Sequence, residues 1–182
     1  MYGLVNKAIQ DLVCEKFGED KWQEIKKLSG FEDDFFIGLQ SYPDSLTYAL
    51  VKNASKVLGA ESTAVLEIFG EYWILYTVNE GYGQMMDLAG DNLVDIMNNL
   101  NMLHNRLNYI MPNMVAPQFS TRNETPNSIE LEYRSQREGF SPMVIGMLKG
   151  LCKRLNIEKY HVNQIEVKAS ASDCDVFKIE WN

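Results

Sequence analysis

Through the first two-thirds of the chain, apolar residues recur at spacings of three and four, the period of helices that bury one face. From Tyr2 to Phe17, Leu4, Val5, Ala8, Ile9, Leu12 and Val13 make one amphipathic stripe, which Gly18 ends. Trp22, Ile25 and Leu28 predict a short second helix closing at Gly30. Asp44 or Ser45 is placed to cap a third, with Leu46, Ala49, Leu50, Ala54 and Val57 inward until Gly59. A fourth runs from Ser62 to about Thr77, with Val65, Ile68, Phe69 and Trp73 facing in. Glu80-Gly81-Tyr82-Gly83 breaks it, a short helix from Gln84 to Ala89 follows, and Asp91 caps a long helix to about Ile110.

Beyond Pro112 the period changes. Polar residues with Pro117 and Pro126 lead into Ile129-Glu130-Leu131-Glu132-Tyr133, whose strict alternation predicts a strand with one wet face. Pro142 to about Leu155 returns to helical spacing, and His161–Val167 and Val176–Trp181 alternate again. A helical N-terminal lobe followed by an antiparallel sheet with a helix packed on it is an α+β architecture. At 182 residues the chain is expected to form a single domain with room for an internal pocket.

Charge narrows the functional classes. Seventeen Lys and Arg stand against 25 Asp and Glu, a net of −8, with no basic cluster for nucleic acid or an anionic membrane. Met1 to Gln10 lacks the basic and apolar regions of a secretory signal, and no apolar run is long enough to span a bilayer. Cys14, Cys152 and Cys174 are odd in number and far apart, the pattern of thiols in a reducing compartment, so a cytoplasmic protein is expected. The acidic run Glu32-Asp33-Asp34 is read as a solvated loop, and the methionines as adaptable core filling, with some lining any pocket.

Two features carry candidate chemistry. Leu93, Met97, Leu100, His104 and Leu107 step by 4, 3, 4 and 3, which puts a histidine on an apolar stripe, while Asn98, Asn99, Asn101, Asn105 and Asn108 mostly occupy other faces. A neutral imidazole there is either a core side chain bonded to a backbone carbonyl or a metal ligand; with one other histidine, His161, and no paired cysteines, a single-ligand group such as haem suits it better than four-ligand zinc. Tyr133, Ser135 and Arg137 follow a strand at spacing two, and in extended chain all three face the side of Ile129 and Leu131. They form either an ordinary polar strand end or a clamp of two hydroxyls and a guanidinium for paired carboxylates.

Taken together with Met1-Tyr2-Gly3-Leu4-Val5-Asn6, Asp44-Ser45-Leu46-Thr47-Tyr48, Glu80-Gly81-Tyr82-Gly83, Asn99-Leu100-Asn101-Met102-Leu103-His104 and Ala116-Pro117-Gln118-Phe119, these residues resemble the H-NOX family of haem-nitric oxide/oxygen-binding domains. The resemblance spans essentially the whole chain. It implies helices over a four-stranded antiparallel sheet, with haem b between a helical subdomain of about 1–60 and an α+β subdomain of about 61–182. His104 matches the proximal iron ligand, Tyr133, Ser135 and Arg137 the propionate-binding triad, and Pro117 a proline that presses on the porphyrin. The family implies a gas sensor and not an enzyme: nitric oxide binds ferrous iron, the histidine is released, and a histidine kinase or cyclic-di-GMP enzyme is regulated in trans.

Bound dioxygen needs a distal donor, and nitric oxide does not. Where oxygen-binding members carry a distal tyrosine, this chain has Pro142, and Ile9 stands in place of the tryptophan that orients it. Trp73, Val5, Ile9, Met143 and Val144 are expected near the distal face, so nitric oxide and carbon monoxide are the expected ligands. On the proximal side, the Leu100 carbonyl is the expected acceptor for the second imidazole nitrogen. The alternatives are an oxygen-binding haem protein, a peroxidase, a thiol or zinc redox-sensing module built on the cysteines (with Cys174 exposed), and a haem-free interaction module.

Overall fold

The computed structural model describes residues 1–112, 114–168 and 173–182. Helices α1 (Gly3–Phe17), α2 (Glu19–Leu28), α3 (Asp44–Leu58) and α4 (Ser62–Thr77) come first, as the three-and-four spacing predicts. Their apolar stripes meet in one core around Ile9, Leu12, Trp22, Ile25 and Leu50. Ile68 departs from expectation. It is 52% exposed, because α4 turns the arc of Leu66, Phe69, Gly70 and Ile74 inward. Asp44 begins α3 but caps nothing with its side chain, which is engaged elsewhere.

A wide turn, Val78–Tyr82, ends α4; Gly81 takes φ 92° there, a backbone region that side chains bearing a Cβ avoid. A short helix α5 (Gly83–Asp87) follows. The expected long helix is two: α6 (Leu93–Asn98) and α7 (Leu100–Leu107). Asn92, not Asp91, caps the first, its side chain accepting from the Asp95 amide. The break falls at Asn99 (φ −99°, ψ 4°), whose carboxamide leaves the helix to donate to the Ala89 carbonyl at 2.8 Å. Hydrophobic spacing continues across the break, which is why the sequence pattern does not reveal it.

Strands β1 (Gln118–Thr125), β2 (Ser128–Arg134), β3 (Tyr160–Glu166) and β4 (Asp175–Trp181) form one antiparallel sheet in the order β1-β2-β4-β3. Register sets Tyr133 opposite Phe119 and Asp175, and Leu131 opposite Phe177. Alternation therefore buries Ile129, Leu131 and Tyr133 and turns Glu130, Glu132 and Arg134 outward, where Arg122 pairs with Glu130 at 2.8 Å. The strand β1 has no apolar alternation of its own beyond Phe119, and periodicity does not reveal it; its partner β2 does. Among the described residues no helix is long and apolar enough to cross a membrane.

Helix α8 (Ser141–Arg154) covers the sheet and crosses α4 with almost no space between backbones. A Cβ on Gly146 would sit 1.9 Å from the Glu67 carbonyl oxygen, and one on Gly70 would sit 2.0 Å from that of Met143. Lys149–Glu67 (2.6 Å) and Lys153–Glu71 (2.5 Å) flank the crossing. Two cores thus meet along α4 and α8: Phe69 belongs to the first, Ile74, Val144 and Leu148 to the second, and Trp73 touches both.

Gly146→Ala should therefore force the two helices apart and lower stability by about 3 kcal/mol. Gly38→Ala, where a Cβ meets nothing within 4 Å, should leave the chemical denaturation midpoint nearly unchanged.

Candidate functional site

Along the seam between the two cores lies an apolar cavity bounded by α4, α7, α8, the first residues of the chain and the segment leading into β1. His104, Pro117, Tyr133, Ser135, Arg137, Trp73, Val5, Met143 and Val144 all line it, and so do Met85, Met86, Met111, Met114 and Met147. Ile9 is 5% exposed and packs within the first core, away from the cavity lining. The stripe that carries His104 divides: Leu93 and Met97 enter the sheet core, while Leu100, His104 and Leu107 face the cavity.

The imidazole is positioned from two sides. His104 Nδ1 lies 2.8 Å from the Leu100 carbonyl, which only accepts, so Nδ1 carries the proton. Its ring stacks on Phe119, centroids 5.6 Å apart and 18° from parallel. Burial lowers the His104 pKa against the opposing effect of the Leu100 bond, and the ring is neutral at pH 7. A neutral ring protonated at Nδ1 keeps its lone pair on Nε2. That is a single good metal donor, with the expected carbonyl as its second hydrogen-bond partner.

Tyr133, Ser135 and Arg137 are brought together by a different route from the one expected. Strand β2 stops at Arg134, and the chain then bends, Ser135 Oγ accepting from the Arg137 amide at 3.1 Å. The Arg137 side chain reaches back to donate from Nε to Asp44 Oδ2 at 2.8 Å and from Nη1 to the Val115 carbonyl at 2.7 Å. Burial pushes the Tyr133 phenol pKa up, while the Ser135 hydroxyl and the Arg137 charge act the other way. A neutral donor and a fixed cation thus share one edge of an apolar cavity, which suits a flat apolar ligand with carboxylate tails.

Three participants escaped the sequence. Asp44 meets Arg137 across 93 positions, and no local pattern signals that pairing. Thr77 and Tyr82 also line the cavity, so its wall is less purely apolar than Pro142 and Ile9 imply. The Thr77 hydroxyl is committed to the Trp73 and Ile74 carbonyls at 3.0 and 3.1 Å; the Tyr82 phenol, its pKa raised by burial, is a donor on the wall.

The cysteines do not gather. Cys174, just before β4, is 5% exposed, contrary to expectation. Burial pushes the thiols of Cys14 and Cys152 up to about 12 and about 11, far from reactive thiolates. His161 lies exposed on β3, and among the described residues no group of three or more His, Cys, Asp or Glu side chains is placed to hold a metal ion.

An α+β fold with a one-histidine apolar cavity and a cationic edge defines a pocket protein of the haem-binding kind. Residues 2–164 match the haem-NO-binding family, and the chain belongs to that family. Among curated proteins it is 30% identical over 158 residues to soluble guanylate cyclase gcy-32 of Caenorhabditis elegans, covering 85% of this chain and 23% of that protein. It is 26% identical over 163 residues to soluble guanylate cyclase 89Da of Drosophila melanogaster, covering 88% of this chain and 24% of that one. The chain therefore spans about a quarter of these relatives, and their whole-protein activity is not carried over. In fold it matches an H-NOX protein from S. oneidensis in the Fe(II)NO state, with TM-score 0.89, 18% identity and 100% and 99% of the two chains covered. An unliganded Fe(II) H-NOX mutant from K. algicida follows at TM-score 0.79 and 19% identity, over 100% and 97% of the two chains. The family is described as haem-NO-binding.

The Asp44 carboxyl is drawn up by burial, but the N-terminal ammonium and Arg137 more than offset this and hold it below the usual range. Its contribution to stability is present above the unfolded carboxyl pKa and is lost as pH falls through the lowered folded value. Asp44→Asn should accordingly be less stable than the parent at pH 7, and the gap in denaturation midpoint should close below about pH 4.

Proposed function

We propose that this chain is a nitric oxide sensor built on haem b. The observation that supports it is the pairing of one bare, neutral imidazole nitrogen with a Tyr133, Ser135 and Arg137 edge across an apolar cavity. Haem, when bound, would supply an iron able to take a diatomic gas. His104 would offer Nε2 to that iron, and Tyr133, Ser135 and Arg137 would hold the propionates, with Arg137 shared by or released from Asp44. Pro117 would pack against the porphyrin, and Trp73, Val5 and Met143 would exclude water, with Ile9 behind them in the core.

A carbonyl, not a carboxylate, holds the imidazole N–H. The ring accordingly keeps the character of a neutral imidazole, a weaker ligand than an imidazolate and one that nitric oxide would displace more easily. His104, once free, would let α7 move and the lobes of about 1–60 and 61–182 rotate. That change is passed in trans to a histidine kinase or a cyclic-di-GMP enzyme. Carbon monoxide is a second ligand. A cytoplasmic setting accords with the protonated thiols.

Oxygen binding is the second reading, and Tyr82 is the observation that favours it, since a phenol on the wall is a donor for bound dioxygen. An absorption spectrum of the reduced protein decides between them. Nitric oxide should move the Soret band to that of a complex without axial histidine, carbon monoxide should leave the histidine bound, and air should oxidise the protein with no persistent oxygen complex. A stable oxygen complex abolished by Tyr82→Phe would overturn the first reading in favour of the second. His104→Gly should lose axial ligation and recover it with added imidazole; unaltered ligation in that variant would remove the basis of both.

A further inference from the structure

Around His104 the chain is rich in asparagines, and three of them make bonds that no hydrophobic pattern signals. Asn98 accepts from the Thr121 hydroxyl on β1, and Asn99 donates to the Ala89 carbonyl at 2.8 Å. Asn101 bonds twice to one residue: its Nδ2 donates to the Phe119 carbonyl at 2.6 Å, and its Oδ1 accepts from the Phe119 amide at 2.9 Å. A carboxamide presents the same donor and acceptor as a peptide group, so Asn101 adds one rung to the edge of β1. Aspartate at this position only accepts, and alanine does neither.

The clamped residue is also the one whose ring lies face to face with the imidazole. α7 turns Leu100, Leu103, His104 and Leu107 to the cavity, and these ties join its first turn to β1 and to Ala89. The clamp thus joins the residue three positions before His104 to the residue on which the His104 ring stacks.

Building on His104 as the axial ligand, we propose that Asn101 is a positioning residue whose carboxamide locks α7 to the start of β1, keeps the imidazole against Phe119, and so sets how readily the imidazole leaves when a gas binds.

Asn101→Ala removes both bonds, and Asn101→Asp keeps the one to the Phe119 amide while setting a carboxylate against its carbonyl. Stopped-flow mixing of ferrous haem-loaded protein with nitric oxide reads the rate at which the histidine-bound complex becomes histidine-free. One net hydrogen bond corresponds to about fivefold, so Asn101→Asp should release about fivefold faster and Asn101→Ala more than about tenfold faster. The iron–histidine stretching band of the unliganded ferrous protein should shift to lower frequency in both variants. In haem-free protein, amide hydrogen exchange over residues 99–104 and 118–120 should quicken by a similar factor. Asn105→Ala, an exposed position on the same helix, should change none of these. Faster exchange with an unchanged release rate and stretching band would reduce Asn101 to a structural role and overturn the proposal, as would unchanged exchange. An iron–histidine band that survives His104→Gly marks failure of the axial-ligand reading instead, and the proposal falls with it.

Discussion

The backbone contact between α4 and α8 is the constraint on which the cavity depends. Only glycine at 70 and 146 lets the Met143 and Glu67 carbonyls come so near the opposing helix. Held that close, the pair moves as one body and carries Trp73, Ile74 and Thr77 on one helix and Met143, Val144, Met147, Leu148 and Leu151 on the other. One wall of the cavity is in this way rigid by construction. The opposite wall is built differently. α7 turns Leu100, Leu103, His104 and Leu107 to the cavity and is tied at its start through side-chain hydrogen bonds to β1 and to Ala89. Dense packing transmits force and resists local bending, whereas a helix hung on a few polar bonds is released when one contact gives way.

Electrostatics divide along the same line. At one end of the cavity the His104 imidazole is neutral, because burial disfavours its charged form and a carbonyl does not restore it. At the other end Asp44 and the Val115 carbonyl engage the Arg137 guanidinium beside an apolar surface. An incoming carboxylate meets a guanidinium already oriented and already partly dehydrated, so less ordering remains to be done when it arrives. The cost is competition, since Asp44 holds one side of the fork. Phe119 lies between the two ends, its ring centroid 5.6 Å from that of His104 and 5.6 Å from that of Tyr133.

How much of this is legible in the sequence depends on the kind of interaction involved. Helices α1 to α4, β2, α8 and β4 announce themselves through apolar periodicity, since each buries one face and each face is continuous. β1 does not, because Phe119 is its only large apolar side chain and its strand character comes from pairing with β2. The break at Asn99 is equally silent: a polar side chain bonding a carbonyl ten residues back leaves the hydrophobic spacing intact. Within the site, His104 and the Leu100 carbonyl are one turn apart on a helix, so spacing alone finds them. Tyr133, Ser135 and Arg137 sit at spacing two, yet they converge through a bend and not an extended strand, an agreement of residues reached by the wrong geometry. Asp44 is beyond reach of any local rule, its partner lying 93 positions away.

The silent features share a property: each is a polar bond to backbone or across lobes, made by Asn, Asp or Ser at the edge of an apolar surface. Hydrophobic spacing determines which surfaces are buried and so positions the cavity, but it says nothing about how firmly each wall is held. That second quantity resides in the glycine crossing on one side and the asparagine ties on the other. A pocket lined by the same apolar side chains between two welded helices would still enclose the same ligand. α8 and α7 are thus attached to the rest of the fold unequally, the one by a close backbone crossing and the other by side-chain hydrogen bonds.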